Sequence, residues 1–163
     1  MDTKITVPDP CSLISSPLSE ELIGAASGTR EKEGDSPGNT QPSCNWKVRR
    51  SSGTAWKEES IAVHVSATTK RLRHGDKFLA PKAAYNAHSS GKSCKKIQLP
   101  ATESCWYHNA NFDLALVLRK EYVVAWAYVT GEHSPALRQD SLEATAQRMA
   151  ADIDKGLSQA QKE

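Results

Sequence analysis

The residues able to do chemistry are plentiful but poorly organised. The chain of 163 residues holds five histidines (64, 74, 88, 108 and 133), four cysteines (11, 44, 94 and 105), and serines and acids throughout. Nucleophilic catalysis needs a serine or cysteine converging with histidine and a carboxylate, and no Gly-x-Ser-x-Gly elbow announces such a group. Ser89-Ser90-Gly91-Lys92-Ser93 matches the end of a phosphate-binding loop. That loop requires a glycine where Asn86 stands and a strand before it, whereas 78–88 reads as helical. The cysteine intervals of 33, 50 and 11 residues contain no close pair of the zinc-binding kind. We therefore expect no metal, no cofactor and no assigned catalytic residue. His64 lies among apolar strand neighbours and suits an ordinary sheet position, while His108 lies two residues beyond Trp106, near an aromatic row. A small hydrolase or transferase site, if present, would form around His108.

Four cysteines permit three pairings, and the sequence-local one, Cys11–Cys44 with Cys94–Cys105, closes two loops without crossing. An even count in a small domain favours an oxidising compartment over four reduced thiols. Charge is nearly balanced overall but segregated: residues 1–46 carry a net −4, residues 47–96 a net +9 and residues 97–163 a net −3. Lys70, Arg71 and Arg73, with Lys77, form the densest basic run. No aromatic residue interleaves between 57 and 77, so no nucleic-acid partner is expected; an anionic surface is the partner this run suits, the alternative being a solvated loop.

The element that must position any site is a hairpin. FDLALVLR (112–119) and YVVAWAYV (122–129) alternate as β-strands around Lys120-Glu121. With a two-residue loop there, Phe112, Leu114, Leu116 and Leu118 oppose Val129, Ala127, Ala125 and Val123, and this face is the predicted core. Any loop of even length keeps these faces. The other face carries Tyr122, Val124, Trp126 and Tyr128 beside Asp113, Ala115, Val117 and Arg119. We expect Tyr122, Trp126 and Tyr128, with His108, to offer a ligand-binding surface unless a second layer covers it.

Residues 1–10 read as an extended lead-in to a single domain over 11–160, since 38% hydrophobic residues suffice for one core and not two. A short helix is predicted at 17–23, capped by Ser16 and stopped by Gly24, followed by a mobile loop over 25–43. Strands follow from Cys44 and over 60–69, then a helix capped by Asp76, a brief strand at Ile97 and Leu99, and another over 103–108. The closing helix starts with Asp140 and Glu143 as a capping box and carries one apolar stripe: Leu142, Ala146, Met149, Ala150, Ile153 and Leu157. The predicted class is α+β, a mainly antiparallel sheet with a short N-terminal, a middle and a long C-terminal helix packed on it, suggesting an αββ duplication. No run is long enough to span a membrane, and the first thirty residues lack a basic start followed by an apolar stretch, so a signal segment is expected to be absent from this chain.

Asp9-Pro10-Cys11-Ser12-Leu13-Ile14, then Leu22-Ile23-Gly24, then Cys44-Asn45-Trp46, resembles the opening of a family of small actinobacterial secreted lipoprotein domains, the domain-of-unknown-function family numbered 3558. The specific part is about ten residues within a general likeness from Asp9 to Leu157. The resemblance implies an extracytoplasmic location, usually through a lipid-anchored cysteine upstream, and a Cys11–Cys44 disulfide. This chain departs from it in carrying Cys94 and Cys105 and no lipidation cysteine of its own. The family brings no catalytic residues. The expected function is thus a non-enzymatic envelope or secreted domain binding a ligand or envelope protein, with the His108 enzyme and a structural or inhibitory envelope protein as alternatives.

Overall fold

The computed structural model describes residues 8–31, 42–52, 55–67, 94–100, 102–108, 114–120, 123–130 and 142–161, with the side chains of 49–67 and 160–161 left out. Among the described residues seven strands, β1 (Thr29–Glu31), β2 (Ser43–Ser52), β3 (Ala55–Ala67), β4 (Lys95–Lys96), β5 (Glu103–Tyr107), β6 (Leu114–Lys120) and β7 (Val123–Thr130), form one antiparallel sheet. Their order is β1-β2-β3-β7-β6-β5-β4. A 3-10 turn (Pro10–Ser12), helix α1 (Ser16–Ile23) and helix α2 (Leu142–Gln161) pack on one side of it. The fold is α+β.

The central hairpin keeps the predicted faces with a shifted register. Leu114, Leu116 and Leu118 oppose Val129, Ala127 and Ala125, and Lys120 opposes Val123, so residues 121 and 122 lie between the strands in place of 120 and 121. The shift is even, so every side chain stays on its predicted side. Lys120, now the last paired residue of β6, reaches Asp154 of α2, Nζ to Oδ1 3.6 Å.

Trp46, Trp106, the β6 leucines and the facing β7 residues meet α2's stripe of Leu142, Ala146, Met149, Ala150, Ile153 and Leu157, every one buried. At three- and four-residue spacing these six side chains fall on one helix face, which lies across β5 and β6. Leu13, Ile14, Leu18, Leu22 and Ile23 close the same core over β2 and β3.

Local chemistry sets the N-terminal elements, and it corrects several boundaries. Pro8 and Pro10 are buried and Asp9 caps the 3-10 turn, its carboxylate accepting from Cys11 N at 3.0 Å, so the end of the expected lead-in belongs to the fold. The cap of α1 is Ser15, one residue before the expected Ser16: its Oγ accepts from Leu18 N at 3.4 Å, and its own N–H donates to Asp152 Oδ2 of α2 at 2.9 Å. Gly24 ends the helix at φ 81°, a left-handed conformation that glycine adopts without strain. Ser15→Ala should cost about 1 kcal/mol, removing the cap while the backbone bond to Asp152 stays, and lower the Tm by roughly 2–4 °C in a thermal melt.

The expected 25–43 loop contains β1, whose pairing Arg30 to Cys44 and Glu31 to Ser43 makes it an edge strand. Three residues without a large apolar side chain give no periodic signal, so tertiary pairing alone defines it. β3 begins at Ala55 instead of residue 60, and the strand expected at Ile97 and Leu99 lies at Lys95–Lys96. Ile97 itself is buried, with its N–H donating to Ser104 O at 2.9 Å. The expected middle helix, and with it the duplication, and the Asp140 cap lie outside the described residues.

Arg148 of α2 grips Glu21 of α1 with both terminal nitrogens, Nη1 to Oε1 at 2.8 Å and Nη2 to Oε2. The hydrogen bond from Arg148 holds the Glu21 carboxyl below its ordinary pKa, so this tie is present at neutral pH and is lost as acid protonates the carboxyl. It is a surface pair and contributes little.

Candidate functional site

The sheet side that faces away from α1 and α2 is built by alternation along three strands. Glu103, Cys105 and Tyr107 of β5, Ala115, Val117 and Arg119 of β6, and Val124, Trp126 and Tyr128 of β7 point to it, and the register sets them in rows. Tyr107, Ala115 and Tyr128 lie across from one another in one row; Cys105, Val117 and Trp126 form the next; Glu103, Arg119 and Val124 form the third. The small Ala115 between two tyrosines leaves room for both rings.

Tyr107, Ala115, Val117 and Val124 make a second buried cluster, with Trp126, Tyr128 and Cys94 packed against it and partly exposed. Ala115 and Val117 are each 1% exposed, so this side is a packed layer and not a bare aromatic row. Burial pushes the Tyr128 hydroxyl above its ordinary pKa; a hydrogen bond from the Trp126 indole acts in the opposite direction, and Tyr107 adds to the rise. At the end of the third row Arg119 pairs with Glu103 across the strands.

Of the residues singled out from the sequence, the structure brings Trp126 and Tyr128 together and adds Tyr107, which alternation in β5 could have supplied once its register with β6 was known. Tyr122 lies outside the described residues, as do Lys70, Arg71, Arg73 and Lys77. His108 follows Tyr107 directly and is exposed, and no described carboxylate, hydroxyl or thiol bonds to it. All four cysteines are bridged, Cys11 to Cys44 (S–S 2.02 Å) and Cys94 to Cys105 (1.99 Å). Among the described residues no three histidines, cysteines or acids gather as a metal site would require.

A polar cluster not foreseen from the sequence joins α2 to the sheet. Thr102 Oγ1 donates to Asp154 Oδ1 at 2.5 Å, Lys120 pairs with the same carboxylate and donates to Ser158 Oγ, and Ser158 Oγ donates to the Asp154 carbonyl at 2.8 Å. A serine beside a lysine invites comparison with a nucleophile and its base. Here the lysine is a donor toward the serine, whose own hydrogen is committed to a carbonyl, so the arrangement activates nothing. It is a clasp for the last turns of α2. Asp154 and Ser158 stand one turn apart beside the stripe residues Ile153 and Leu157, a placement that acquires meaning only once Lys120 is known to face them.

Comparison with protein-family models, with curated proteins and with solved structures finds no match in any of the three. No helix among the described residues is long and apolar enough to cross a membrane.

Proposed function

We propose that this chain is a non-enzymatic extracytoplasmic domain, secreted or held at the cell surface, that binds a ligand or an envelope protein on the side of its sheet that faces away from α1 and α2. The observation that carries this reading is the composition of that side. A purely solvated sheet face alternates to polar residues, whereas this one places Tyr107, Trp126 and Tyr128 around a buried apolar floor, with the two β7 rings partly exposed. Aromatic residues with an apolar body and a polar tip are the usual anchors of binding surfaces. The location rests on two disulfides in a domain of this size and on the ten-residue resemblance at its start. The basic run of Lys70, Arg71, Arg73 and Lys77 would add attraction for an anionic surface.

A thermal-shift screen of envelope polysaccharides, lipid headgroups and extracellular metabolites tests the proposal. A ligand at a hundred times its Kd stabilises by about 2.7 kcal/mol, a readily measured shift. Trp126→Ala should weaken binding of any hit by at least about tenfold, the loss of roughly 1.4 kcal/mol. Binding indifferent to Trp126→Ala would overturn the assignment of this face. Turnover of an ester, phosphate or glycoside that disappears in His108→Ala would overturn the non-enzymatic reading.

A further inference from the structure

The two disulfides sit in different mechanical settings. Cys44 is 0% exposed in the main core, and a Cβ on Gly28 would lie 2.5 Å from its Sγ and 2.7 Å from Trp46 Cε2, so that bond is walled in by Gly28 and Trp46. Each bridge joins a buried cysteine to a partly exposed one, Cys44 to Cys11 and Cys105 (5% exposed) to Cys94, so the difference lies in the surroundings: Cys11 packs beside the main core and Cys94 on the second cluster. Cys94 introduces β4, a two-residue strand at the sheet edge. Among the described residues, β4 and Ile97 after it are held, besides the disulfide, by two ladder positions, by the Ile97 N–H on Ser104 O, by Ser104 Oγ donating to Ile97 O at 3.1 Å, by burial of Ile97, and by Lys95 Nζ lying 4.7 Å above the Trp106 ring. Edge segments with few buried contacts open at low free energy, while core segments open only with the whole domain.

We propose that Cys94–Cys105 is a redox-sensitive latch on the aromatic face, opened by a dithiol reductant while Cys11–Cys44 stays closed. A thiolate of the reductant attacks one sulfur of the pair and the S–S bond breaks, giving a mixed disulfide and one free protein thiol. The second thiol of the reductant then displaces the other protein sulfur. Two electrons pass to the protein, which holds Cys94 and Cys105 as thiols, and the reductant leaves as its own disulfide. Opening frees β4, unpairs the outer edge of β5 at Cys105 and Trp106, and removes Cys94 from the packing around Tyr107. The latch deepens the binding reading above by giving that face a control, but the opening itself does not depend on a ligand.

The full chain is exposed under native conditions to a dithiothreitol series, quenched with iodoacetamide and peptide-mapped, with hydrogen exchange followed on the same samples. Alkylation of Cys94 and Cys105 should run on the order of tenfold faster than that of Cys11 and Cys44, corresponding to an opening easier by about 1.4 kcal/mol. The Ile97 amide should lose protection at the same reductant concentration while Leu116 and Leu118 keep theirs. Reduction of Cys11–Cys44 first, or of both together, would overturn the proposal, as would a protected Ile97 amide after Cys94–Cys105 has opened. The Cys94→Ala/Cys105→Ala variant should keep its far-UV circular dichroism with Ile97 unprotected, and a variant that fails to fold contradicts the latch. If the thiol and exchange results hold but reduction leaves the binding of every Trp126-dependent ligand unchanged, the bond opens without controlling that face and the latch is overturned, while the binding assignment stands.

Discussion

Replacing Trp46 by alanine should lower the unfolding free energy by about 3–5 kcal/mol and the Tm by roughly 10 °C or more. Trp46 is 1% exposed, near the middle of β2, with Ile61 of β3 as its ladder partner. Gly28 approaches its ring so closely that even a methyl group there would overlap Cε2 and Cδ2. Neighbours on that side are a disulfide and backbone, neither of which can collapse into the space the indole leaves. The cost therefore falls toward the upper part of the range for large-to-small substitutions. Urea unfolding followed by circular dichroism measures it, with the slope unchanged if both states keep their compactness.

The second large effect comes from the adjacent bond. Removing Cys11–Cys44 as the double alanine variant should cost about 3–4 kcal/mol, because its 33-residue separation frees much of the unfolded chain when the crosslink goes. Cys94–Cys105, with a separation of 11, should cost less, about 3 kcal/mol on the same chain-entropy account. The order of the two variants in one denaturation series is the check. Because Gly28 touches both Cys44 and Trp46, combining Trp46→Ala with the Cys11–Cys44 deletion should give a total that departs from the sum of the parts.

These two sites also mark what could be read from the chain alone. Trp46 and the β6 and β7 residues alternate, and the α2 stripe recurs at three and four, so periodicity assigned both core faces before any register was known. An even shift of the hairpin left those faces intact, which is why the register error did no harm. β1 was illegible because three polar residues have no period of their own. The cap of α1 was misplaced by one because Ser15 and Ser16 are chemically equivalent, and only the Leu18 N–H and the Asp152 carboxylate distinguish them. Trp126 and Tyr128 were visible on one face beside Ala115 and Val117, but the burial of that floor was not, because it depends on what packs around it, Tyr107 of the neighbouring β5 included. The Thr102–Lys120–Asp154–Ser158 clasp joins a loop, a strand and a helix, and no local pattern could announce it.

The most direct test of the account as a whole is the thiol state of the protein in the compartment where it accumulates. Cells are quenched in acid, free thiols are alkylated in denaturant without reductant, and the bridged peptides are mapped. The account predicts no free thiol, with Cys11 joined to Cys44 and Cys94 to Cys105, in protein recovered from the envelope or the medium. Four free thiols in protein recovered from the cytoplasm would contradict the extracytoplasmic domain proposed here.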